Sequence, residues 1–282
     1  MILLADSGST KTTWVLLDGS EPVKTITTAG LNPYFHTEDS VAAILESGLL
    51  PEIFGKPLAE IHFYGAGCST ETKNDMLRNA IARFFPLAEI NIYHDILGAA
   101  RALLGKGEGI ACILGTGCNA CYYDGHDVAS RVPSLGYMFG DEGAGSNIGK
   151  LFMEKYLKDK LPVDLRADFD RQYSFTLEQI LDALYNKPYP NRFLASFSEF
   201  IAPRRHHPFL KELVSSSFNA FFEEQVEKYP EHKTVPVSFV GSIAFYYQDI
   251  LKEVANARNA GIGRILRSPM EGLIEFHILH RI

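Results

Sequence analysis

Two segments of the sequence combine residue types that bind phosphate groups. The first, from Met1 to Gly19, reads MILLADSGSTKTTWVLLDG, and the second, from Gly109 to Gly125, reads GIACILGTGCNACYYDG. Each has two apolar runs around a cluster of small residues and a closing Asp-Gly turn, which predicts a β-hairpin. Glycine amides and Ser or Thr hydroxyls in such a turn can converge on an anion. The repetition favours one phosphate group held by both turns, with ordinary hairpin turns as the alternative.

Two aspartates follow predicted strands. Asp6 ends the first apolar run, and a carboxylate beside a phosphate site requires a cation between them. Asp95 follows the predicted strand 90–94 and precedes a helix of small residues, so its carboxylate can lie near a helix N-terminus at the edge of a cleft. From its position alone, Asp95 is best interpreted as the N-cap of that helix. Because a cation is required beside the phosphate site, Asp6 is a candidate metal-binding residue.

Length and composition limit the class of protein. The chain has 282 residues, 46% of them hydrophobic, and exceeds the size at which a single core usually stops growing, so we expect two domains. The net charge of -7 disfavours a sequence-independent nucleic-acid binder, and the basic stretch 204–207 is interpreted as a solvated loop. The N-terminus has neither a basic leader nor a long apolar stretch, so neither a signal peptide nor a membrane span is expected. Four cysteines, mostly within apolar runs, fit a reducing cytoplasm.

Hydrophobic periodicity predicts alternating strands and helices around the hairpins. The further predicted strands cover residues 23–28, 61–65, 90–94, 235–240 and 262–266. The predicted helices cover residues 38–50, 69–85, 96–105, 146–156, 176–185, 191–201, 208–229 and 242–260, with one more near the end of the chain. A capping box of Thr176 with Gln179 fixes one helix start. A polar loop, and no strand, is predicted directly after the second hairpin. The domain boundary is expected in the Gly-rich stretch 105–109.

Four motifs resemble those of a known superfamily. In order, they are ADSGSTKTTWVLLDG, GTGCN, GDEGAG and FVGS. They resemble the phosphate-1, phosphate-2, substrate and adenosine motifs of the actin-like ATPases. Their residues and their order are most similar to those of the N-acetylglucosamine kinase branch, which is also grouped as the BadF/BadG/BcrA/BcrD ATPase family. The resemblance implies an α/β fold of two ribonuclease H-like lobes with an interlobe cleft. The first lobe is expected over residues 1–105 and the second over residues 106–282.

The resemblance also implies an activity: an ATP-dependent kinase that phosphorylates a hydroxyl of an amino sugar, N-acetylglucosamine or glucosamine, with Mg²⁺ as cofactor. No P-loop sequence occurs, so a P-loop mechanism is excluded. Asp95 would be the catalytic base that accepts the proton of the sugar hydroxyl, and Asp6 would orient Mg²⁺ through water. The implied nucleotide-binding residues are Asp6, Gly8, Ser9, Thr10, Lys11, Gly115, Thr116, Gly117, Gly241 and Ser242. The implied sugar-binding residues are Asn32, Asp95, Cys118, Asn119, Ser134, Leu135, Gly136, Asp141 and Glu142. A small-molecule sugar is the expected partner, a homodimer is considered, and neither nucleic acid nor membrane is expected.

Simpler interpretations of these residues stay open. Lys11 can point to solvent, Asn32 and Asn119 can be turn residues, and Gly241 can be a plain strand-to-helix turn. The sequence departs from many relatives at Leu135, where they show a Trp in a G-W-G context. Loss of that aromatic ring removes a stacking surface for the sugar or its N-acetyl group, so the identity of the amino sugar stays open.

Other classes of protein share the expected fold. An activator-type ATPase would hold an iron-sulfur cluster with paired cysteines of two subunits, but Cys118 and Cys121 lie inside the second hairpin, where strand alternation separates them onto opposite faces. A non-catalytic nucleotide sensor and an actin-like assembly protein are further alternatives. Asp6, Asp95 and Asp141 are all present, which argues against a degenerate site, and nucleotide-dependent sedimentation would indicate an assembly protein. The zinc-cluster string of the repressor-and-kinase relatives does not occur.

Overall fold

The computed structural model describes residues 1–280, which form two compact units. The first unit contains Met1–Lys106 and the segment that begins at Ser268, and the second contains Gly107–Arg267. The first change of unit lies in the Gly-rich stretch 105–109. The sequence-based division assigns the segment after Ser268 to the second lobe, whereas here it belongs to the first unit.

The first unit is built on a five-stranded mixed sheet with the strand order β3-β2-β1-β4-β5. Its strands are β1 (Ile2–Ser7), β2 (Lys11–Asp18), β3 (Glu21–Ala29), β4 (Glu60–Gly65) and β5 (Glu89–His94). Its helices before the second unit are α1 (Glu38–Gly48), α2 (Leu50–Ile53), α3 (Glu71–Ala82) and α4 (Asp95–Leu104). The first three strands are antiparallel, and β4 and β5 run parallel to β1.

Side-chain alternation gives this sheet two covered faces. Trp14 and Phe63 pack with α1 and α3 on one face, while Leu4 and Val15 contact the last helix of the chain on the other. Because both faces are covered, β1 is apolar almost throughout instead of alternating. In contrast, β3 at the sheet edge is exposed over its first half.

Helix α4 begins one residue earlier than an N-cap at Asp95 would require, at Asp95 itself. The cap is His94, whose Nδ1 accepts from the Ile96 amide at 3.3 Å, and Asp95 is the first helical residue. The interpretation of Asp95 as the cap of this helix is therefore wrong. His is not among the preferred capping residues, which is why the sequence favoured the neighbouring Asp.

The second unit repeats the same sheet order, β8-β7-β6-β9-β10. Its strands are β6 (Gly109–Leu114), β7 (Cys118–Tyr123), β8 (Val128–Arg131), β9 (Val237–Val240) and β10 (Ile262–Leu266). Its helices are α5 (Gly136–Phe139), α6 (Gly145–Leu157), α7 (Val163–Gln172), α8 (Leu177–Tyr185), α9 (Pro190–Ser196), α10 (Ser198–Ile201), α11 (Pro208–Glu224), α12 (Ser242–Tyr246) and α13 (Gln248–Ala257). The last helix of the chain, α14 (Met270–Leu279), returns to the first unit.

Several predicted elements of the second unit differ from the observed ones. Strand β8 stands where a polar loop is predicted, because an exposed edge strand gains its order from pairing with β7 and needs no apolar pattern. The predicted helices 191–201 and 242–260 are each divided into two, and α11 ends at Glu224 before two short 3-10 turns. The predicted capping box of Thr176 with Gln179 is confirmed.

The segment after Ser268 is fixed to the first unit by close backbone packing. Gly272 of α14 lies against α4, and a Cβ at this position would stand 2.2 Å from the Ala102 carbonyl oxygen. Met270 joins the apolar face of the hairpin. Within residues 1–280, no helix is both long and apolar enough to cross a bilayer.

Candidate active site

The turn between β1 and β2, Gly8 to Thr10, is here called the phosphate-1 turn after the motif it resembles. The Gly8 amide donates to the Lys11 carbonyl at 3.0 Å and closes the turn. Gly30, just after β3, lies directly behind it: a Cβ there would stand 2.3 Å from the Gly8 carbonyl oxygen. Only glycine lets the two backbones approach this closely. The turn is thus supported from behind, while Gly8 and Thr10 remain exposed.

Two buried hydroxyls in the flanking strands hold the hairpin together. Ser7 Oγ and Thr12 Oγ1 lie 2.7 Å apart. Thr12 donates to the Ala29 carbonyl at 3.1 Å, and Ser7 accepts from the Leu31 amide at 3.0 Å. Because these two hydroxyls bond to each other and to the backbone inside the fold, they are structural.

Asp6 belongs to a pair of carboxylates in the first unit. It is the penultimate residue of β1 and is mostly buried. Desolvation, and then the negative charge of Asp95, raises the pKa of Asp6 from 3.8 to about 7, against the opposing effect of Lys11. Lys11 itself is exposed. A cation beside the Asp6 carboxylate would oppose both causes of this shift, because it favours the charged form.

The second carboxylate, Asp95, keeps an unused acceptor atom. Its Oδ1 lies 2.6 Å from His94 Nδ1, but the contact lacks hydrogen-bond geometry. Among residues 1–280, this buried Oδ1 has no hydrogen-bond partner. A buried acceptor without a donor costs free energy, which a ligand hydroxyl would recover.

Asn32 lies beside the phosphate-1 turn and is 9% exposed. Its Nδ2 donates to Ser9 Oγ at 2.9 Å, and its Oδ1 accepts from the Tyr34 amide at 3.0 Å. The second contact is an Asx-type turn, so Asn32 is a turn residue. The first contact also joins it to the turn that resembles a phosphate site.

The second hairpin carries the phosphate-2 turn, Gly115 to Gly117. The first residues of α6 support this turn, because the Gly145 and Ser146 amides donate to the carbonyls of Gly115 and Thr116 at 2.9 and 3.0 Å. These two N-terminal amides of α6 are therefore used in hydrogen bonds within the protein.

A carboxylate, Asp141, supports the same turn from inside the second unit. Its side chain accepts from the Cys118 amide at 3.0 Å and from Ser146 Oγ at 3.4 Å. Gly117 lies against it, with 3.0 Å between a Cβ built there and Oδ1. Burial raises the pKa of Asp141, and both hydrogen bonds oppose that shift. Asp141 is predicted to bind the sugar; in the structure its carboxylate has an internal function.

The loop that leads to Asp141 exposes several apolar side chains. Leu135 is 61% exposed, and Met138 and Phe139 of the short helix α5 are exposed as well. Ser134 Oγ donates to the Cys118 carbonyl at 3.4 Å, which ties the start of the loop to β7. The Cys118 side chain lies in the core, so only its backbone can meet a ligand.

The backbone conformation and the close packing at Gly241 both favour glycine. Its φ of +126° is a backbone conformation that favours glycine, and a Cβ there would stand 2.2 Å from the Leu114 carbonyl oxygen. Ser242, at the start of α12, is exposed. Asn119 Oδ1 accepts from the adjacent Ala120 amide at 3.0 Å.

The predicted site residues fall into two groups, one in each unit. The first unit contains Asp6, Gly8, Ser9, Thr10, Lys11, Asn32 and Asp95. The second contains Gly115, Thr116, Gly117, Cys118, Asn119, Ser134, Leu135, Gly136, Asp141, Glu142, Gly241 and Ser242. Contacts within the first group join the phosphate-1 turn to Asn32, and electrostatics couple Asp6 to Asp95.

Comparison with known proteins gives the family. The chain is similar to a candidate N-acetylglucosamine kinase from Porphyromonas gingivalis, with 41% sequence identity, a TM-score of 0.96 and 100% of each chain covered. This chain belongs to the N-acetylglucosamine kinase-like family. The predicted family and the predicted α/β fold class of the actin-like ATPases are thereby confirmed. No protein-family profile and no curated protein sequence matches the chain.

More distant structures share the fold of this N-acetylglucosamine kinase-like protein. A candidate N-acetylglucosamine kinase from Chromobacterium violaceum is 16% identical, with a TM-score of 0.72 and 98% of each chain covered. A non-polymerising MamK mutant bound to AMPPNP is 12% identical, with a TM-score of 0.52 over 99% of this chain and 97% of that chain. At these identities the likeness concerns the fold alone.

The cysteines of this N-acetylglucosamine kinase-like protein are poorly placed for an iron-sulfur cluster. Cys118 and Cys121 are both buried in β7. Desolvation raises the pKa of the Cys118 thiol well above its usual range, which disfavours the thiolate that a cluster requires. Within the part of the chain that the structure describes, no three His, Cys, Asp or Glu side chains are grouped to hold a metal.

The basic stretch 204–207 is not a loosely solvated loop. Arg204 pairs with Asp168 at 3.3 Å, and Arg205 pairs with Asp249 at 3.0 Å. These carboxylates neutralise the two guanidinium groups and tie the stretch to α7 and α13. The interpretation as a solvated loop is therefore wrong, and the charge is used within the protein.

Three residues that shape the site escaped the sequence analysis. Gly30 supports the phosphate-1 turn, His94 caps α4, and Ser146 holds Asp141. A glycine directly after an edge strand was the available signal for Gly30. No local signal distinguishes the other two, because their partners are defined by the tertiary fold.

Proposed function

We propose that the protein is an ATP-dependent sugar kinase that phosphorylates a hydroxyl of an amino sugar, N-acetylglucosamine or glucosamine. The observation that carries this proposal is the Asp95 carboxylate, which is not used as the helix cap and retains a buried Oδ1 without a hydrogen-bond donor among residues 1–280. Its coupling to Asp6, close to a turn rich in hydroxyls and amides, supports the same assignment. The family membership supports sugar phosphorylation as the reaction.

Asp95 is the proposed general base. Its carboxylate accepts the proton of the attacking sugar hydroxyl and orients the oxygen for in-line attack on the γ-phosphorus. Asp6, at the penultimate position of β1, is assigned to the metal ion instead, because a cation beside its buried carboxylate would offset both the desolvation and the negative charge of Asp95. The amides and hydroxyls of the phosphate-1 turn donate to phosphate oxygens, which carry the developing charge.

The residues of the first unit suit Mg²⁺ as cofactor. Kinases bind this ion through one or two carboxylates and the substrate phosphates, without a full cage of protein ligands. Asp6, with Asp95 nearby, supplies such a sparse donor set, and the raised pKa of Asp6 marks a place where a cation relieves repulsion. When bound, Mg²⁺ supplies positive charge to the phosphate oxygens.

An ADP-release assay with a panel of hexosamines and hexoses tests the proposal. We expect turnover with N-acetylglucosamine or glucosamine and none above background with unsubstituted hexoses. The panel also addresses the sugar specificity that Leu135 leaves open, since a longer N-acyl group probes the exposed apolar loop beside it. Absence of turnover on every sugar would overturn the kinase assignment.

Replacement of the base gives the sharper test. We expect Asp95→Asn to lower kcat by about 10²- to 10⁴-fold, the range for loss of a general base, and to leave affinity for AMPPNP nearly unchanged. Asp18→Asn is the matched control, because it removes one carboxylate from an exposed position of β2. Turnover by Asp95→Asn close to that of the control would exclude Asp95 as the base.

A further inference from the structure

The two halves of helix α14 contact the first unit in different ways. The first half is apolar, with Met270 packed in one cluster with Leu4 of β1, and Gly272 lies against the backbone of α4. In the second half, the ring of His277 lies 4.2 Å, centroid to centroid, from the ring of His62 in β4. The second half of α14 is therefore docked on a titratable side chain of the sheet.

The surroundings of His62 favour its neutral form. The residue is 8% exposed, and its Nε2 lies 2.8 Å from Glu60 Oε2. An ionised carboxylate only accepts hydrogen bonds, so Nε2 carries the hydrogen of the neutral ring and Nδ1 carries none. Among residues 1–280, Nδ1 is buried without a hydrogen-bond partner. A second proton would create a buried N–H group without an acceptor, which costs free energy.

The charges around His62 differ between the sheet and the helices. The titratable and charged groups that face it are Glu60, Glu89, Tyr93, Arg101 and His277. The two glutamates belong to β4 and β5, so they stay beside His62 whether or not α14 is docked. Burial is the main cause that lowers the pKa of His62 from 6.5, and Arg101 of α4 adds to it, whereas both glutamates oppose it. Docking of α14 adds burial and the basic group of His277.

Arg101 and Tyr64 hold the second half of α14 at the same place. The Arg101 guanidinium donates to Tyr64 Oη at 2.9 Å, and its carbon lies 5.2 Å from the centroid of the Phe276 ring. Tyr64 Oη lies 2.9 Å from His277 Nε2. A positive charge on His62 would therefore arise beside the groups that bind this half of the helix.

We propose that His62 is a pH-dependent latch for α14: proton uptake by its ring favours a state in which the second half of the helix is separated from the sheet. Separation exposes the ring to water, where it takes up a proton with its ordinary pKa of 6.5, whereas docking opposes that proton. The docked state is thus most stable well above pH 6.5 and loses stability as the pH falls. This latch does not require the proposed kinase activity.

Hydrogen-deuterium exchange of the full chain at pH 7.5 and pH 5.5 tests the latch. Exchange rates are corrected for the intrinsic effect of pH on amide exchange. One pH unit below the ordinary pKa, a ring that stays neutral when docked favours separation by up to about tenfold. We expect the protection of the α14 amides to fall by up to that factor, and that of α6 in the second unit to change less than about twofold. Asp6 acts in the opposite direction, because its proton stabilises the fold as the pH falls.

Substitution of the ring identifies the group that titrates. His62→Gln cannot take up a proton, while its carboxamide can still donate to Glu60, so we expect α14 exchange to change less than about twofold between the two pH values. His36→Gln is the matched control and should behave as the wild type. Its Nδ1 lies 3.2 Å from Ser40 Oγ in α1, which packs on the opposite face of the sheet from α14. If His62→Gln does not fold, His62→Phe replaces it, because it keeps an aromatic ring against His277.

A further variant, His277→Phe, separates the two histidines. We expect a several-fold loss of α14 protection at pH 5.5 to persist in it, because His62 keeps Arg101 and an Nδ1 without an acceptor. Persistence of the pH effect in His62→Gln together with its absence in His277→Phe would assign the titration to His277 and overturn the proposal. An unchanged α14 in the wild type, or an equal loss of protection in α6, would also overturn it.

Discussion

The phosphate-1 and phosphate-2 turns close equivalent hairpins of two sheets with the same strand order, but different groups support them. Backbone contact with Gly30 and the neutral amide of Asn32 support the first turn. The carboxylate of Asp141, together with the first amides of α6, supports the second. The same hairpin scaffold is thus supported by a neutral group in one unit and by a charged group in the other.

This difference explains which carboxylates remain available for chemistry. In the second unit, both oxygens of Asp141 accept hydrogen bonds from the protein. In the first unit, Asp95 keeps a buried oxygen that has no donor within the described part of the chain, and the negative charge of Asp95 contributes to the raised pKa of Asp6. Two units with the same sheet order can therefore differ in their carboxylates, if one unit uses its carboxylate to support a turn and the other does not.

The largest effect is expected from a substitution in the first unit, at the Asp6 carboxylate. We expect Asp6→Asn to lower kcat/KM for the amino sugar by about a thousandfold, because Mg²⁺ loses a carboxylate that orients it. The fold should be retained, since Asn fills the same space. An ADP-release assay at saturating Mg²⁺ measures the change. A loss below about tenfold would mean that Asp6 does not serve the metal.

The next largest effect is expected from Gly30 and Gly241, the glycines that pack closely against the two hairpins. We expect Gly30→Ala and Gly241→Ala each to lower the free energy of unfolding by about 3 kcal/mol, because a Cβ would overlap a carbonyl oxygen of the neighbouring backbone. Urea denaturation measures the loss. Gly261→Ala is the control, because a Cβ there meets no atom within 4 Å. Equal stability of all three variants would contradict the close packing.

The pH dependence of stability tests the Asp6 environment. The pKa of Asp6 is about 7 in the folded protein and 3.8 in the reference state, so the folded state binds the proton more tightly. The stability that Asp6 contributes is therefore complete below pH 4 and lost as the pH rises to about 7. Without nucleotide or Mg²⁺, Asp6→Asn should stabilise the protein increasingly from pH 5 to pH 8, by roughly 2 to 4 kcal/mol at pH 8.

Urea denaturation at both pH values checks this prediction. The control is Asp18→Asn, which removes a charge from an exposed position of the same hairpin. The stabilisation by Asp6→Asn should shrink when Mg²⁺ and AMPPNP are added, because a cation favours the carboxylate. A stabilisation independent of pH would refute the shifted pKa.

The smallest expected effect concerns the structural carboxylate. We expect Asp141→Ala to lower the free energy of unfolding by about 2 kcal/mol, because the buried Cys118 amide loses its acceptor. Asp141→Asn should lower the free energy of unfolding by a smaller amount, since its amide oxygen can still accept the hydrogen bond from the Cys118 amide. Urea denaturation of both variants measures the difference. Equal stability of Asp141→Ala and the wild type would show that the carboxylate does not support the phosphate-2 turn.

The sequence predicted elements well where the signal is local and poorly where pairing supplies the order. Both hairpins and the Thr176 capping box follow from residue spacing. Strand β8 is absent from the sequence-based prediction because its four residues are mostly exposed and show no apolar pattern, and pairing with the neighbouring strand β7 orders it. The last helix was placed with the wrong part of the chain, because periodicity reveals an apolar face but not the surface that it covers.

The same limit applies to the candidate site. Asp6 and the two turns could be located from sequence, because a carboxylate and a glycine-rich turn at a strand end are read over a few residues. The cap of α4 could not, because His94 and Asp95 are adjacent and ordinary capping preferences favour Asp.

The sequence alone determined the two hairpins, their turn residues and the carboxylates that follow the strands, because backbone turns and side-chain alternation are properties of neighbouring residues. Only the tertiary structure decided that Asn32 reaches Ser9, that Gly30 supports the phosphate-1 turn and that Asp95 acts on the pKa of Asp6. Those contacts arise because β1 lies between β2 and β4 in the sheet, which brings together residues that are far apart along the chain.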